Sequence, residues 1–332
     1  MKRYILPCAA AWAALALAAA CHAQTPAASA NGTPTYPAKA IRLIVPFPPG
    51  QASDVLARAI GAKLTEAFHQ QVVVDNRPGA GGNIGSDQAA KAPPDGYTLV
   101  MATAALPISK SVYAKLPFDP AKDFAPVTML TKTPLVLIVN PALPVKSVKE
   151  LVALAKAKPG ALSFASSGNG TSHQLSGELF KVTAGIDIVH VPYKGSAPAQ
   201  MDIIGGQVAM MFDNIVAVLP NVTSGKLKGL AVTTPHRWFA LPDLPTMAES
   251  GLPGVEAVAW FGVLAPAGTP PQVIATLNRE IGRVIALPEI KDRFRTQGIE
   301  LAGSTPADMQ KFMQAEIVKW AKVVQASGAH AD

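Results

Sequence analysis

Cysteine is nearly missing. The 332 residues contain two, Cys8 and Cys21, and both fall in an N-terminal stretch that reads as a secretory signal. There Lys2 and Arg3 precede an apolar run from Tyr4 to about Ala20, and small residues follow to Ala23. That three-part layout is too short, and too near the terminus, for a membrane anchor. Cleavage after Ala23 leaves a mature chain that starts at Gln24 with no thiol. Disulfide staples are thereby excluded, and the apolar core alone must hold the fold. The rival reading is lipidation at Cys21, but Leu17 lies four residues before that cysteine where three is usual. The location expected is periplasmic, reached through the signal peptide.

Other absences narrow the function. No second apolar stretch is long and unbroken enough to span a bilayer. Charge of one sign is never concentrated: 29 basic and 22 acidic residues are scattered, without the aromatic interleaving of a nucleic-acid binder. Cleavage removes Lys2 and Arg3, so the net charge falls from +7 to +5, a mild field suited to anions. Six histidines show no H-x-x-x-H or H-E spacing, which with cysteine gone excludes a transition-metal site. G-K-[ST] is absent, so there is no P-loop. In "DNRPGAGGNIG" (75–85) the spacing of Gly79, Gly81 and Gly85 is wrong for a dinucleotide, and the required acid is missing. That segment reads as a tightly turning connection. No cofactor is expected.

What is present is alternation. "IRLIVPF" (41–47), "VVVDN" (72–76), "YTLVMAT" (97–103), "PLVLIVN" (134–140), "LSFAS" (162–166), "IVHVPY" (188–193), "VAMMFDN" (208–214), "GLAVTT" (229–234) and "WFGVLAP" (260–266) have strand length and composition. Helical periodicity fills the gaps. Leu56, Ile60, Leu64 and Phe68 mark one face, segments 83–91, 147–157, 172–184 and 196–205 follow, and Met309, Met313, Ile317, Trp320 and Val324 mark a last face. The class is α/β, and the alternation implies parallel sheets. Ligands bind where such strands end, and the loops "PFPPGQASD", "TAALP", "SSGNGTS", "PYKGSAP" and "FDN" sit at those ends. They imply one cleft between two lobes.

The most pointed stretch is "SFASSGNGTSHQLSGELF" (163–180), where a strand stops at two glycines and four hydroxyls and a helix follows. Thr171 with Gln174 fits a capping box. Amides from about 168 to 173 would meet at the helix N-terminus, a ready anion seat. Asp54, in the first turn of its helix, suits a capping or dipole role. Lys194 in "PYKG" suits either an anion partner or a solvated lysine. A hydrolase remains a remote alternative, since Ser166, Ser167, Ser172, His173 and His190 are available. However, the G-x-S-x-G elbow and an acid to orient the histidine are both missing.

"YPAKAIRLIVPFPPG", "VVVDNRPGAGGNIG", "PPDGYTLV", "LPFDPAKDFAPV", "SSGNGTSHQLSGELF", "HVPYKGSAPA", "GGQVAMMFDN", "LPDLPTMAESGLPG" and "APAGTP" occur in that order, followed by "EIVKWAKVV" near the end. Over residues 36 to 327 the chain resembles the Bug, or TctC-like, family of tripartite tricarboxylate transporter receptors. The resemblance implies a two-lobed periplasmic-binding-protein fold, a type II-like Venus flytrap with crossings near 124–131 and 228–234. After the signal peptide (1–23) and a disordered leader (24–36) read from the residues, it implies a discontinuous first lobe (37–128 with 229–332) and a second lobe (129–228). It also implies a monomer that binds a small carboxylate and delivers it to membrane permease subunits, without turnover. Carried over by position, Phe47, Pro48, Gly50, Ser53 and Asp54 would hold the ligand from one side. Ser166, Ser167, Gly168, Gly170, Thr171, Tyr193, Gly195, Ala197, Asp213 and Asn214 would hold it from the other. Gln51 stands where the family usually has glycine, and Gln174 where it has histidine. A ligand sensor feeding a signalling partner is the alternative role.

Overall fold

Nearly continuous apolar runs become the strands of two sheets. The computed structural model describes residues 36–331, so the expected signal segment and the leader up to Thr35 lie outside the described residues. Strand β1 (Ile41–Val45) is almost wholly buried. It pairs in parallel with β2 (Val72–Asn76) and β3 (Thr98–Thr103). Between them run α1 (Ala52–Phe68), a short 3-10 turn (Ala80–Gly82) and α2 (Asn83–Ala90). On α1 the four-residue periodicity is realised, with Leu56, Ile60 and Leu64 in the core. Helix α3 (Ala105–Val112) starts directly after β3.

The next strand joins the lobes. β4 (Phe124–Val139) runs for 16 residues. Its first part, through Pro134, pairs with β9 (Val258–Pro266), and from Leu135 it pairs with β7 (Met210–Asn214). The second sheet also holds β5 (Ser163–Ser166), β6 (Val189–Pro192) and β8 (Lys228–Val232). Helices α4 (Val148–Ala157), α5 (Ser172–Ala184), α6 (Ser196–Ile204) and α7 (Ile215–Thr223) alternate with these strands. After β9 come α8 (Pro271–Ala286), α9 (Pro288–Arg295) and the long α10 (Pro306–Ser327).

The parallel expectation needs correcting: the sheets are mixed. β9 is antiparallel to both β3 and β4, and β4 is antiparallel to β7 and β8. β4 pairs in both sheets, whereas β9 pairs within the first, with β3 and the first part of β4. β8, which falls within the crossing expected near 228–234, pairs with the second half of β4. On α10, Glu316 and Val323 are buried where Ile317 and Val324 are only half-buried. Glu316 accepts from Trp320 Nε1 at 2.8 Å, which draws a carboxylate into the apolar face.

Candidate functional site

The loop after β1 is held from beneath by one carboxylate. Asp54 is 3 % exposed and accepts from the Gly50 amide (2.9 Å), Arg58 Nε (3.0 Å) and Asn76 Nδ2 (2.9 Å). Asn76 also donates to the Phe47 carbonyl at 3.0 Å. Burial pushes the Asp54 carboxyl up. The bonds from Arg58, Gly50 and Asn76, together with the Arg58 charge, outweigh it and leave the group below its ordinary range. Asp54 therefore stays ionised as a brace for the loop and does not border a cavity.

On the opposite side, the turn at 166–171 is built in the same way. Ser166 is fully buried at the end of β5; its Oγ accepts from the Gly168 amide at 3.2 Å and lies 2.7 Å from His190 Nε2. The His190 ring stacks on Phe164 with centroids 4.9 Å apart. A buried serine beside a stacked histidine fixes a turn and offers no accessible nucleophile. Thr171 caps α5, accepting from the Gln174 amide (3.4 Å) and donating to the Gly168 carbonyl (2.7 Å). Gln174 Oε1 reaches one residue further back than in the usual box, to the Gly170 amide at 2.7 Å.

Burial pushes His190 down to about 4. Burial likewise lowers His173, against the opposing pull of Asp213 and Asn214. In both cases the unfolded chain takes up the proton first, so stability rises with pH through the window below the ordinary value of 6.5. The thermal midpoint is expected to fall as pH drops from about 6.5 towards 4, with a shallower fall in His190→Gln. Scanning calorimetry across that range checks it, and parallel acid limbs in the two proteins would contradict it.

Near the end of β7, an interior strand of the second sheet, Asp213 is fully buried. It accepts from Ser196 Oγ, Gln200 Nε2 and the Asn214 amide, each at 2.8 Å. His173 Nε2 lies 3.4 Å from the same carboxylate.

Between these braces is a cavity of about 40 Å³. The first turns of α1 (Ala52, Ser53), α3 (Ala105) and α5 (Ser172, His173) border it, as does Asn214, the N-cap of α7. Four helix N-termini therefore converge, with first-turn amides that have no partner within their own helices. No Lys, Arg, Asp or Glu is in the lining. Among the described residues, five buried side-chain polar atoms have no hydrogen-bond partner, though one of them, Asp87 Oδ1, is ion-paired with Lys91 Nζ at 2.7 Å. Three of them, His173 Nδ1, Asn214 Oδ1 and Trp260 Nε1, belong to residues that line this cavity. An anion could be held here by dipoles and hydrogen bonds without a salt bridge.

Of the residues expected at the site, Phe47, Ser53, Ser167, Thr171 and Asn214 line this inner cavity. Pro48, Gly50, Gly168, Tyr193, Gly195 and Ala197 line two adjoining outer cavities. Asp54, Ser166, Gly170 and Asp213 border none of the three, the first two and the last being braces behind the wall. The strand-end loop "TAALP" also contributes, through Thr103 and Ala105, while Trp260 went unforeseen. A tryptophan inside an apolar strand carries one signal, its need for an indole N–H partner.

The sequence profile of the family described as "Tripartite tricarboxylate transporter family receptor" matches residues 56–329. Protein BugT of Bordetella pertussis is 42% identical over 297 residues, covering 89% of this chain and 91% of BugT. The structure of R. palustris Rpa4515 with adipate shares 40% identity at a TM-score of 0.84, covering 89% of this chain and 99% of that one. MatC (Rpa3494) from Rhodopseudomonas palustris with bound malate shares 31% at 0.81, covering 87% and 100%.

Proposed function

This chain belongs to the tripartite tricarboxylate transporter receptor family, and from that premise we propose that it captures a small carboxylate between its lobes and delivers it to membrane permease subunits. It is a two-lobed solute-binding receptor, not an enzyme, and it works outside the cytoplasm. The observation that supports the ligand class is the convergence of four helix N-termini on a cavity with no ionised side chain in its wall. Backbone donors fixed in this way bind an anion without ordering long side chains. In this reading the lobes exchange at Pro134–Leu135 and again between β8 and β9, so that β4 and the segment joining β8 to β9 are the hinges and closure buries the ligand.

Mass spectrometry of ligand co-purified with native protein, followed by calorimetry with the identified acid, tests the reading. One carboxylate per chain, returned unchanged, is the expected result. Steady product release, or no carboxylate bound across a panel of mono-, di- and tricarboxylic acids, would sink it. Export is expected to remove residues 1–23. The N-terminus of mature protein, read by mass spectrometry, should be Gln24, and a diacylglyceryl group on Cys21 would move the protein to a membrane surface.

A further inference from the structure

Gln51 occupies the N-cap of α1 without capping it. Its backbone is extended (φ −77°, ψ 164°) and its side chain makes no capping bond. N-caps favour Ser, Thr, Asp and Asn, so helix stability does not account for a glutamine here. The carboxamide crosses the cleft instead. Nε2 lies 2.7 Å from the point where a Cβ on Gly195 would sit. Gly195 belongs to the other lobe, just before α6, and a side chain there would collide with the amide.

That crossing places Gln51 at a junction. The inner cavity of about 40 Å³ adjoins outer cavities of about 440 and 590 Å³, and Gln51 alone lines all three. One outer cavity is walled by Pro46, Phe47, Pro78 and Tyr193, and the other by Pro198 and Met201. The inner space takes about three waters, roughly the bulk of a two- to four-carbon acid. A longer chain must pass the amide.

Resting on the carboxylate reading above, we infer that Gln51 sets ligand length: its carboxamide closes the inner cavity and confines the receptor to short carboxylates. Removing the side chain joins the inner seat to the outer cavities and admits longer acids.

Calorimetry with straight-chain diacids from malonate to suberate, on wild type, Gln51→Gly and Gln51→Met, tests this. Glycine at an N-cap costs only a few tenths of a kcal/mol, and circular dichroism confirms that each variant is folded. Wild type should bind the three- and four-carbon acids most tightly. Gln51→Gly should move the optimum to six carbons or more, with at least a tenfold gain for adipate. Gln51→Met keeps the bulk and should keep the wild-type order. An unchanged length profile in Gln51→Gly, or a methionine variant that gains adipate as the glycine variant does, would overturn the inference and leave the receptor reading standing. Wild type that binds none of these diacids would overturn the inference, and the receptor reading would fall as well only if the mono- and tricarboxylic acids of the wider panel also failed to bind.

Discussion

Asp213→Ala is expected to lower the unfolding free energy by about 3–5 kcal/mol and to abolish ligand capture. The carboxylate is fully buried and accepts three hydrogen bonds of 2.8 Å, from Ser196, Gln200 and the Asn214 amide. Alanine takes the acceptor from the Ser196 hydroxyl and the Asn214 amide, while Gln200 Nε2 keeps its bond to the Ala217 carbonyl at 3.2 Å, and each orphaned donor costs about 1–3 kcal/mol before relaxation. A domain holds only about 5–15 kcal/mol in total, so the variant should be marginal yet measurable. Function should fail for a geometric reason. Asn214 and His173 line the inner cavity, and the carboxylate is what positions them. Asp213→Asn keeps one acceptor but turns an amide N–H towards an existing donor, and an intermediate loss is expected. Urea titration of the three proteins checks the series through the midpoint at constant slope. Equal midpoints would mean that the buried network contributes no stability.

Much of this arrangement was legible in the sequence because it is local. The four-residue spacing of Leu56, Ile60 and Leu64 needs only the helix period, and Thr171 with Gln174 needs only the geometry of a first turn. β4 was legible only in its second half. Its first half carries Pro126, Thr128, Thr131, Lys132 and Thr133, which break any apolar alternation. Partners far along the chain satisfy that polarity: Thr131 donates to the Glu300 carbonyl at 2.6 Å and Thr128 to the Ser304 carbonyl at 3.0 Å. Helices α3 and α7 begin directly where β3 and β7 end, so no turn signal separates them from the strands.

The resemblance named loops without saying which way their side chains turn. Ser166 and Asp54 bond their own loop backbones, a local competition that a motif does not reveal. Gln51 illustrates the converse. Its place beside glycine and proline suggests only a turn, and its role depends on a loop 144 positions later in the chain at Gly195.

Gly170→Val is expected to eliminate carboxylate binding, whereas Thr171→Ala should weaken it by roughly one to two orders of magnitude. Gly170 holds φ +72°, a conformation that costs a β-branched residue about 1–3 kcal/mol. A Cβ there would stand 3.0 Å from Tyr113 Cε2, and the valine methyls would press closer. Tyr113 ends α3 in the first lobe and Gly170 precedes α5 in the second, so the added bulk obstructs closure as well as straining the turn. The same turn carries Ser167 and Thr171 into the inner cavity, so displacing it disperses the donors together. Thr171→Ala acts more narrowly. It removes a cap worth about 1 kcal/mol and the 2.7 Å bond to the Gly168 carbonyl, but leaves the backbone amides where they are. Calorimetry with the co-purified acid, after circular dichroism has shown both variants folded, separates the two effects. A folded Gly170→Val protein with wild-type affinity would place the ligand outside this cleft.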